Sequence, residues 1–350
     1  MNSQQYHSAT WQHGEVRLTC VERWQETHDV TSFRFQGEQS VKFHFKPGQF
    51  ITLMLNINGK AVARSYTISS SPSRPYSIVV TVKRIEDGVV SNYLVDHLLP
   101  GDSITARGPD GAFNLVDIEA DKYLFLSAGS GITPMYSMSR WLTDTQIGSD
   151  IAFFHSAKSP QDLIFHQALQ LLAQRHEHFS LDYCLETGEL ADMDCYQGRL
   201  SLVSLASAVA DYKERTIFVC GPGPYMQAVK NMLEQAGFDM TRYHQESFGD
   251  APMMVSQLTP TTASAQFMLH IGDVKTPLFA EQTVLEGIEA EGLPIIAACR
   301  SGVCGACKCK VVSGETESSS QMTLTAEDIA SGYILACSTK IKSNVNIALN

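Results

Sequence analysis

Between residues 15 and 115, apolar residues come in short runs, several alternating with polar ones, and turn residues separate them. Segments 30–36, 50–57, 61–68 and 77–84 read as strands, with Pro47–Gly48, Asn58–Gly59 and Pro100–Gly101–Asp102 as turns between them. A strand that alternates can cover a core with one face and meet water with the other. The stretch therefore predicts a small antiparallel β-barrel or sandwich. One segment, 90–99, has helical spacing and interrupts it.

From Asp121 the rhythm changes. Apolar strands at 123–127, 151–155, 179–184 and 216–220 alternate with helical stretches at 134–143, 162–174, 202–210 and 224–235. Alternation at this spacing predicts an α/β, doubly wound parallel sheet, with 242–248 as a fifth, edge strand. Segment 251–265 (APMMVSQLTPTTASA) is rich in Pro, Ser and Thr, lacks periodicity and reads as a linker. The expected domains are therefore 15–115, 116–250 and 266–350, joined by the 251–265 linker.

Composition narrows the class. With 44% hydrophobic and 18% charged residues over 350 positions, the chain can bury several cores, which excludes global disorder. A net charge of −11 argues against a nucleic-acid or anionic-membrane surface and leaves room for a protein partner with a basic patch. The first fourteen residues are polar, and no run approaches the roughly 18 apolar residues of a membrane span. The expected compartment is the cytoplasm.

Five of the nine cysteines crowd the last fifth of the chain. Cys299, Cys304 and Cys307, followed by Cys337, make the C-x4-C-x2-C…C spacing of a plant-type 2Fe–2S centre. Four thiolates must converge on two irons, so the loop must wrap tightly. Gly302 and Gly305 supply that freedom and leave amide N–H groups to approach sulfur. A zinc ribbon needs paired C-x2-C units, and there is one such pair; unconnected buried thiols are the other reading. Cys309 falls outside the pattern and reads as a packing residue or a free thiol, not as a ligand.

Three further segments carry candidate chemistry. Arg64-Ser65-Tyr66-Thr67 ends a strand: an Arg can grip a flavin phosphate, a Tyr ring can lie on the isoalloxazine and a hydroxyl can reach N5. Alone this pattern is common on surfaces. Gly88, Val90 and Ser91 open the single helix of the barrel region, a natural pyrophosphate site or simply a capped helix. Gly129, Gly131, Thr133 and Pro134 follow a strand and open a helix, where glycines let backbone approach a nucleotide phosphate. Cys220, Gly221 and Pro222 do the same on a later strand, with Cys220 either beside a nicotinamide ring or in the core. Turns 47–50 and 108–113 read as turns only.

Together the runs RSYT, GVVSNYL, GSGITP and CGPGPYM resemble the ferredoxin–NADP reductase superfamily, in that family's order. With the carboxyl-terminal ferredoxin the chain resembles the hybrid-cluster-protein reductases over nearly its full length. The resemblance implies an FAD-binding barrel, an NAD-binding α/β domain and an α+β ferredoxin domain of the β-grasp type. Arg64, Ser65, Tyr66 and Thr67 would hold flavin phosphate, ring and N5; Gly88, Val90 and Ser91 its pyrophosphate; Gly129, Gly131, Thr133, Pro134, Gly221 and Pro222 the nicotinamide nucleotide. Thr67, Cys220, Glu246 and Phe248 would surround the reacting rings. The chain departs from the family at Ala128, where a glycine is common, and at Cys309.

The ending Cys184-Leu185-Glu186 lacks a Ser-Arg pair for a 2′-phosphate, so NADH is the expected donor, with Lys158 the one compensating cation. A hydride from NADH would reduce FAD, and electrons would pass singly through the 2Fe–2S centre to a protein acceptor. The expected acceptor is the hybrid cluster protein. Alternatives are a Rieske-type oxygenase or demethylase, or a redox-sensing carrier that serves no single acceptor. Cys304→Ser should abolish the cluster and spare the flavin, because the linker separates the two folding units. Undiminished 2Fe–2S absorbance and electron paramagnetic resonance in the mutant would refute the ligand assignment.

Overall fold

The computed structural model describes residues 9–146, 148–191, 193–248, 266–279, 281–293, 295, 302, 305, 307–321 and 323–349. The chain divides into two compact units near residue 247, with residues 56–65 grouped with the second. The linker expected at 251–265, together with Cys299 and Cys304, lies outside the described residues.

The first unit opens with strands β1 (Ala9–Trp11), β2 (Gly14–Thr27), β3 (Val30–Gly37), β4 (Val41–Phe43), β5 (Phe50–Ile57), β6 (Lys60–Thr67) and β7 (Ile78–Lys83). Helix α1 (Val89–His97) and strand β8 (Ser103–Asp110) follow. Six strands form a curled antiparallel sheet ordered β6-β5-β8-β2-β3-β7, while β1 and β4 pair separately. An antiparallel bridge between Ile68 and Val80 joins the two ends of that sheet and closes it as a barrel. Closure removes the exposed edge that an open sheet would present. Inward residues Leu18, Phe33, Phe35, Ile51, Leu53, Ile78 and Val80 fill the core. Strand β2 is the longest element of the barrel, yet register shifts at Cys20/Glu22 and Gln25/Thr27 break its alternation. This explains why its sequence does not read as one strand.

The nucleotide half comprises β9 (Lys122–Ala128), α2 (Ile132–Thr145), β10 (Asp150–Ala157), α3 (His166–Arg175), β11 (Phe179–Leu185), β12 (Tyr196–Gln197), α4 (Leu202–Ala208), β13 (Thr216–Cys220), α5 (Gly223–Gln235) and β14 (Tyr243–Glu246). All neighbours are parallel, in the order β12-β11-β10-β9-β13-β14. The chain starts at β9, winds outward one way to β12 and returns to β13 on the other side. The switch point between β9 and β13 is where such sheets bind ligands, at the carboxyl ends of the strands. Helix α3 begins four residues later than its sequence predicts. Phe165 adopts φ +59, and residues 160–162 form a 3-10 turn in which Ser159 donates to Asp162 at 2.6 Å.

The two halves of this unit pack on each other through residues that read only as turns. A Cβ on Gly48 (φ +104) would lie 2.3 Å from the Phe113 carbonyl oxygen and 2.5 Å from Met138 of α2. Phe113 meets Phe218 edge-to-face at 5.3 Å, and the Ser137 hydroxyl donates to the Ser70 carbonyl at 2.7 Å.

The second unit adds β15 (Gln266–Ile271), β16 (Val274–Phe279), α6 (Val284–Ala290), β17 (Lys308–Ser313), β18 (Thr316–Ser318), α7 (Ala326–Ala330), β19 (Tyr333–Leu335), β20 (Thr339–Ile341) and β21 (Val345–Leu349). Five strands form a mixed sheet ordered β16-β15-β21-β17-β19, a β-grasp arrangement over which α6 packs Val284, Leu285 and Ile288. Gly287 lets α6 approach the sheet, since a Cβ there would lie 2.6 Å from Leu278 Cδ1. Among the described residues no helix is long and apolar enough to cross a membrane.

Arg215, just before β13, is buried and donates to Asp150 and Asp211 at 2.7 Å each and to the Tyr123 carbonyl at 3.2 Å. It ties the amino ends of three neighbouring strands. Arg215→Met should destabilise this unit by about 2–3 kcal/mol, because a partly buried charged hydrogen-bond set loses its donor. A urea-denaturation midpoint unchanged at equal slope would show that the pairing contributes nothing.

Candidate functional site

Strand β6 delivers Arg64, Ser65 and Tyr66 half-buried and Thr67 buried. Arg64 Nη2 donates to the Phe248 carbonyl at 3.3 Å, and the Tyr66 ring packs on the barrel core. The Thr67 hydroxyl is buried with no hydrogen-bond partner among the described residues. Leaving a buried hydroxyl unpaired is costly, which makes Thr67 Oγ1 a group shaped for a ligand.

Helix α1 begins one residue earlier than its sequence predicts, with Gly88 as an extended N-cap. A Cβ on Gly88 would lie 2.6 Å from Ser91 Oγ and 2.9 Å from Ile85 Cβ, so the 85–88 turn folds directly onto the helix end. The Ser91 hydroxyl serves that turn: it accepts from the Ile85 amide at 3.2 Å and donates to the Gly88 carbonyl at 3.4 Å. The donors left for an anion are the first-turn amides of the helix, which have no intrahelical acceptor. Val90 is half-buried against the barrel core. Arg84, which sequence reasoning missed, binds Asn92 Oδ1 at 2.9 Å and pairs with Asp96, anchoring the turn to α1. Its only signal is the placing of Asn92 and Asp96 one helical turn apart.

At the switch point the two strand-end loops touch. Residues 129–131 make a 3-10 turn leading into α2. Gly129 has φ +52 and open space where a Cβ would stand. Gly131 has none: a Cβ would lie 2.3 Å from the Cys220 carbonyl oxygen and 2.6 Å from the Gly221 nitrogen. Gly221 in turn lies against Ala128, whose Cβ would be 3.1 Å from a Cβ on Gly221. Ala128 itself is extended (φ −139), a conformation that makes no demand for glycine, which explains how the chain departs from the family there. Thr133 is buried and donates to the Ser130 carbonyl at 3.1 Å, closing the turn. Pro134 is buried in the first turn of α2, where a missing N–H costs nothing. Pro222, extended, caps α5.

Parallel register sets one row of side chains across the sheet: Glu246, Cys220, Ser127, His155 and Tyr183 are successive partners on five neighbouring strands. All are buried. Burial first, and the Glu246 charge second, push the Cys220 thiol well above its usual range, so it stands as a neutral thiol and not a nucleophilic thiolate. Burial pushes His155 down to about 3, so it is neutral; its Nδ1 shares a hydrogen bond with Ser127 Oγ at 2.8 Å. Sequence reasoning missed Ser127 and His155, because only the register of β9, β10 and β13 puts them beside Cys220. Phe248 is half-buried two residues beyond Glu246.

Beyond β11, Glu186 donates its amide to the Ala157 carbonyl at 3.1 Å, and its carboxylate, half exposed, pairs with Arg199 at 3.3 Å. No Ser-Arg pair stands at that strand end.

In the second unit, Cys307 and Cys337 lie buried with their sulfurs 3.2 Å apart, well beyond a disulfide's roughly 2.05 Å. The Gly302 amide donates to Cys337 Sγ at 3.2 Å and the Cys337 amide to Cys307 Sγ at 3.4 Å. Gly302 has φ +74, and a Cβ there would lie 2.7 Å from both Ser320 Cβ and Ser338 Oγ. Amides aimed at converging sulfurs suit bound thiolates, so the described half of the ligand set fits a 2Fe–2S centre. Cys309, within β17, is fully buried, and burial pushes its thiol up to about 12; it is a core residue.

Family profiles match three segments: an oxidoreductase FAD-binding domain over residues 17–115, an oxidoreductase NAD-binding domain over 125–231 and a 2Fe–2S iron–sulfur cluster binding domain over 272–342. The chain belongs to the ferredoxin–NADP reductase superfamily, in the branch with a carboxyl-terminal ferredoxin. It is an oxidoreductase with FAD, NAD and 2Fe–2S domains. It is 44% identical to the glycine betaine monooxygenase reductase subunit of Chromohalobacter salexigens, over 97% of this chain and 96% of that one. It is 38% identical to the stachydrine N-demethylase reductase subunit of Rhizobium meliloti, over 94% and 95%. To the NADH oxidoreductase HCR of Escherichia coli it is 35% identical, over 93% and 94%. In fold it is similar to phthalate dioxygenase reductase, with a TM-score of 0.63 and 23% identity over 96% of this chain and 98% of that one.

Gly131→Ala should weaken NADH binding at least about tenfold while the purified protein keeps its flavin, since the added methyl forces the 129–131 turn off the Cys220 carbonyl. Titration of the holo-protein with NAD+, followed by flavin absorbance, checks this; an unchanged dissociation constant would show that the two loops tolerate separation.

Proposed function

We propose that this reductase carries electrons from NADH to a terminal oxygenase or N-demethylase in the cytoplasm, not to a hybrid cluster protein. The supporting observation is the difference in likeness: 44% and 38% identity to reductase subunits named for a monooxygenase and an N-demethylase, against 35% to the hybrid-cluster type. This revises the acceptor that the sequence motifs suggested. Relatives of both kinds match over at least 93% of this chain, so domain organisation alone does not choose between them.

When bound, FAD converts the hydride pair of NADH into single electrons that the 2Fe–2S centre can carry. Arg64 would clamp the flavin phosphate with a charge-assisted fork, and Tyr66 would cover the ring. Thr67, with its buried unpartnered hydroxyl, would satisfy N5. The α1 amides near Gly88 and Val90 would meet the pyrophosphate, with Ser91 bracing the turn. Gly129, Gly131, Thr133, Pro134, Gly221 and Pro222 would shape the nicotinamide nucleotide site. Cys220, held neutral, would fill space beside the ring without reacting, while Glu246 and Phe248 close that side. The chain after β11 carries no Ser-Arg pair to grip a 2′-phosphate, which would favour NADH. Cys299, Cys304, Cys307 and Cys337 would hold the cluster.

The test is delivery of electrons from NADH to the oxygenase component of a glycine betaine monooxygenase and to hybrid cluster protein, side by side with the holo-reductase. Substrate-dependent NADH consumption coupled to product should run at least about tenfold faster with the oxygenase. A ratio reversed in favour of hybrid cluster protein would overturn the proposal, and so would failure of the holo-reductase to reduce the oxygenase component at all.

A further inference from the structure

Helices α2 and α3, with Arg74 of the barrel loop, line a half-open cavity of about 140 Å³. Its walls carry Arg74 from the flavin half, and Arg140, Asp144, Leu171, Arg175 and His176 from the nucleotide half. Volume by this measure needs only about 10–15 Å³ per water, so the space admits a small polyatomic ion. Cations dominate the lining of a chain whose net charge is −11.

The cations are unevenly matched. Asp144 accepts from Ser73 Oγ at 2.6 Å and from Arg74 Nε and Nη2 at 3.4 Å each, so it is shared and does not neutralise the rest. Arg140 and Arg175 have no ion-pair partner among the described residues. Among the described residues Arg140 reaches only Tyr136, donating to its hydroxyl at 3.3 Å and lying 6.0 Å from its ring centroid, and its Nε is buried without a hydrogen-bond partner among them. The end of α3 accounts for Arg175, whose charge offsets the helix dipole, but it does not account for Arg140 inside α2. Ala168, Leu171 and Leu172 line the space between the cations, with Leu171 at its exposed rim.

We propose that this cavity is an anion site for a phosphate or carboxylate group. The ion is gripped by Arg74 on one side and by Arg140 and Arg175 on the other, and so fastens the flavin half to the nucleotide half. Planar guanidinium groups suit both oxyanions, and a doubly charged ion offsets the two unmatched cations. The clamp lies on α2, whose amino end is the nucleotide turn, so occupancy steadies the element on which that turn is built.

The experiment measures thermal release of flavin from the holo-reductase at constant ionic strength, with inorganic phosphate or malonate replacing chloride. The wild-type midpoint should rise and saturate with at least one of them, as for a ligand that binds only the folded state; the ion that saturates at lower concentration identifies the phosphate or the carboxylate source. In the Arg140→Gln/Arg175→Gln double variant the half-saturating concentration should increase at least about tenfold, while flavin content and dye reduction stay at wild-type levels. Leu171→Glu, at the exposed rim, should weaken binding in the same direction and serves if the double variant folds poorly. A rise of equal size in wild type and variants, or one that never saturates, is the general stabilisation that excluded salts give every protein, and it overturns the site.

Discussion

The first unit depends on one contact in which backbone meets backbone. Gly131 lies so close to the Cys220 carbonyl that no side-chain atom fits between them. That approach holds the ends of β9 and β13 together at the point where the sheet reverses its winding, and it leaves the carboxyl edge of both strands facing one crevice. Cys220 is buried because the turn sits on it. Helix α2 leaves the turn and carries Ser137 and Met138 straight to the barrel, where the Ser70 carbonyl and the Gly48 turn receive them. The nucleotide turn and the end of β6 are thus parts of one frame.

Much of this is legible in the sequence. Alternation marks the barrel strands, strand–helix rhythm marks the parallel sheet, and cysteine spacing marks the cluster, because each is a local pattern imposed by geometry. What was hidden depends on register or on distant packing. The buried row from Glu246 to Tyr183 is assembled from residues on five strands, and no spacing along the chain reveals it. Gly48 and Phe113 look like ordinary turn residues until α2 is laid against them. The long strand β2 is disguised by its bulges, and α3 is shortened by a left-handed Phe165. The acceptor was illegible for another reason: the motifs speak for FAD, NAD and 2Fe–2S domains, and relatives named for different acceptors match the chain over nearly its whole length.

The charge pattern separates two roles. Around Cys220 the thiol and the His155 imidazole are buried and neutral, the one pushed up and the other pushed down, while the Glu246 carboxylate stands beside the thiol. Cations are instead gathered between α2 and α3, where Arg140 and Arg175 line one cavity with Arg74.

The pairing of Cys307 with Cys337 has a consequence for how the cluster could be lost. The two are distant in sequence, and they meet because β17 pairs with β19, Lys308 opposite Leu335, while Cys307 accepts a hydrogen bond from the Ala336 amide at 3.0 Å through its carbonyl. Peptide amides already point at both sulfurs. Pairing of β17 with β19 is therefore what brings together two sulfurs that stand 30 residues apart in the sequence, and a substitution that weakened that pairing would disturb the cluster without touching a cysteine.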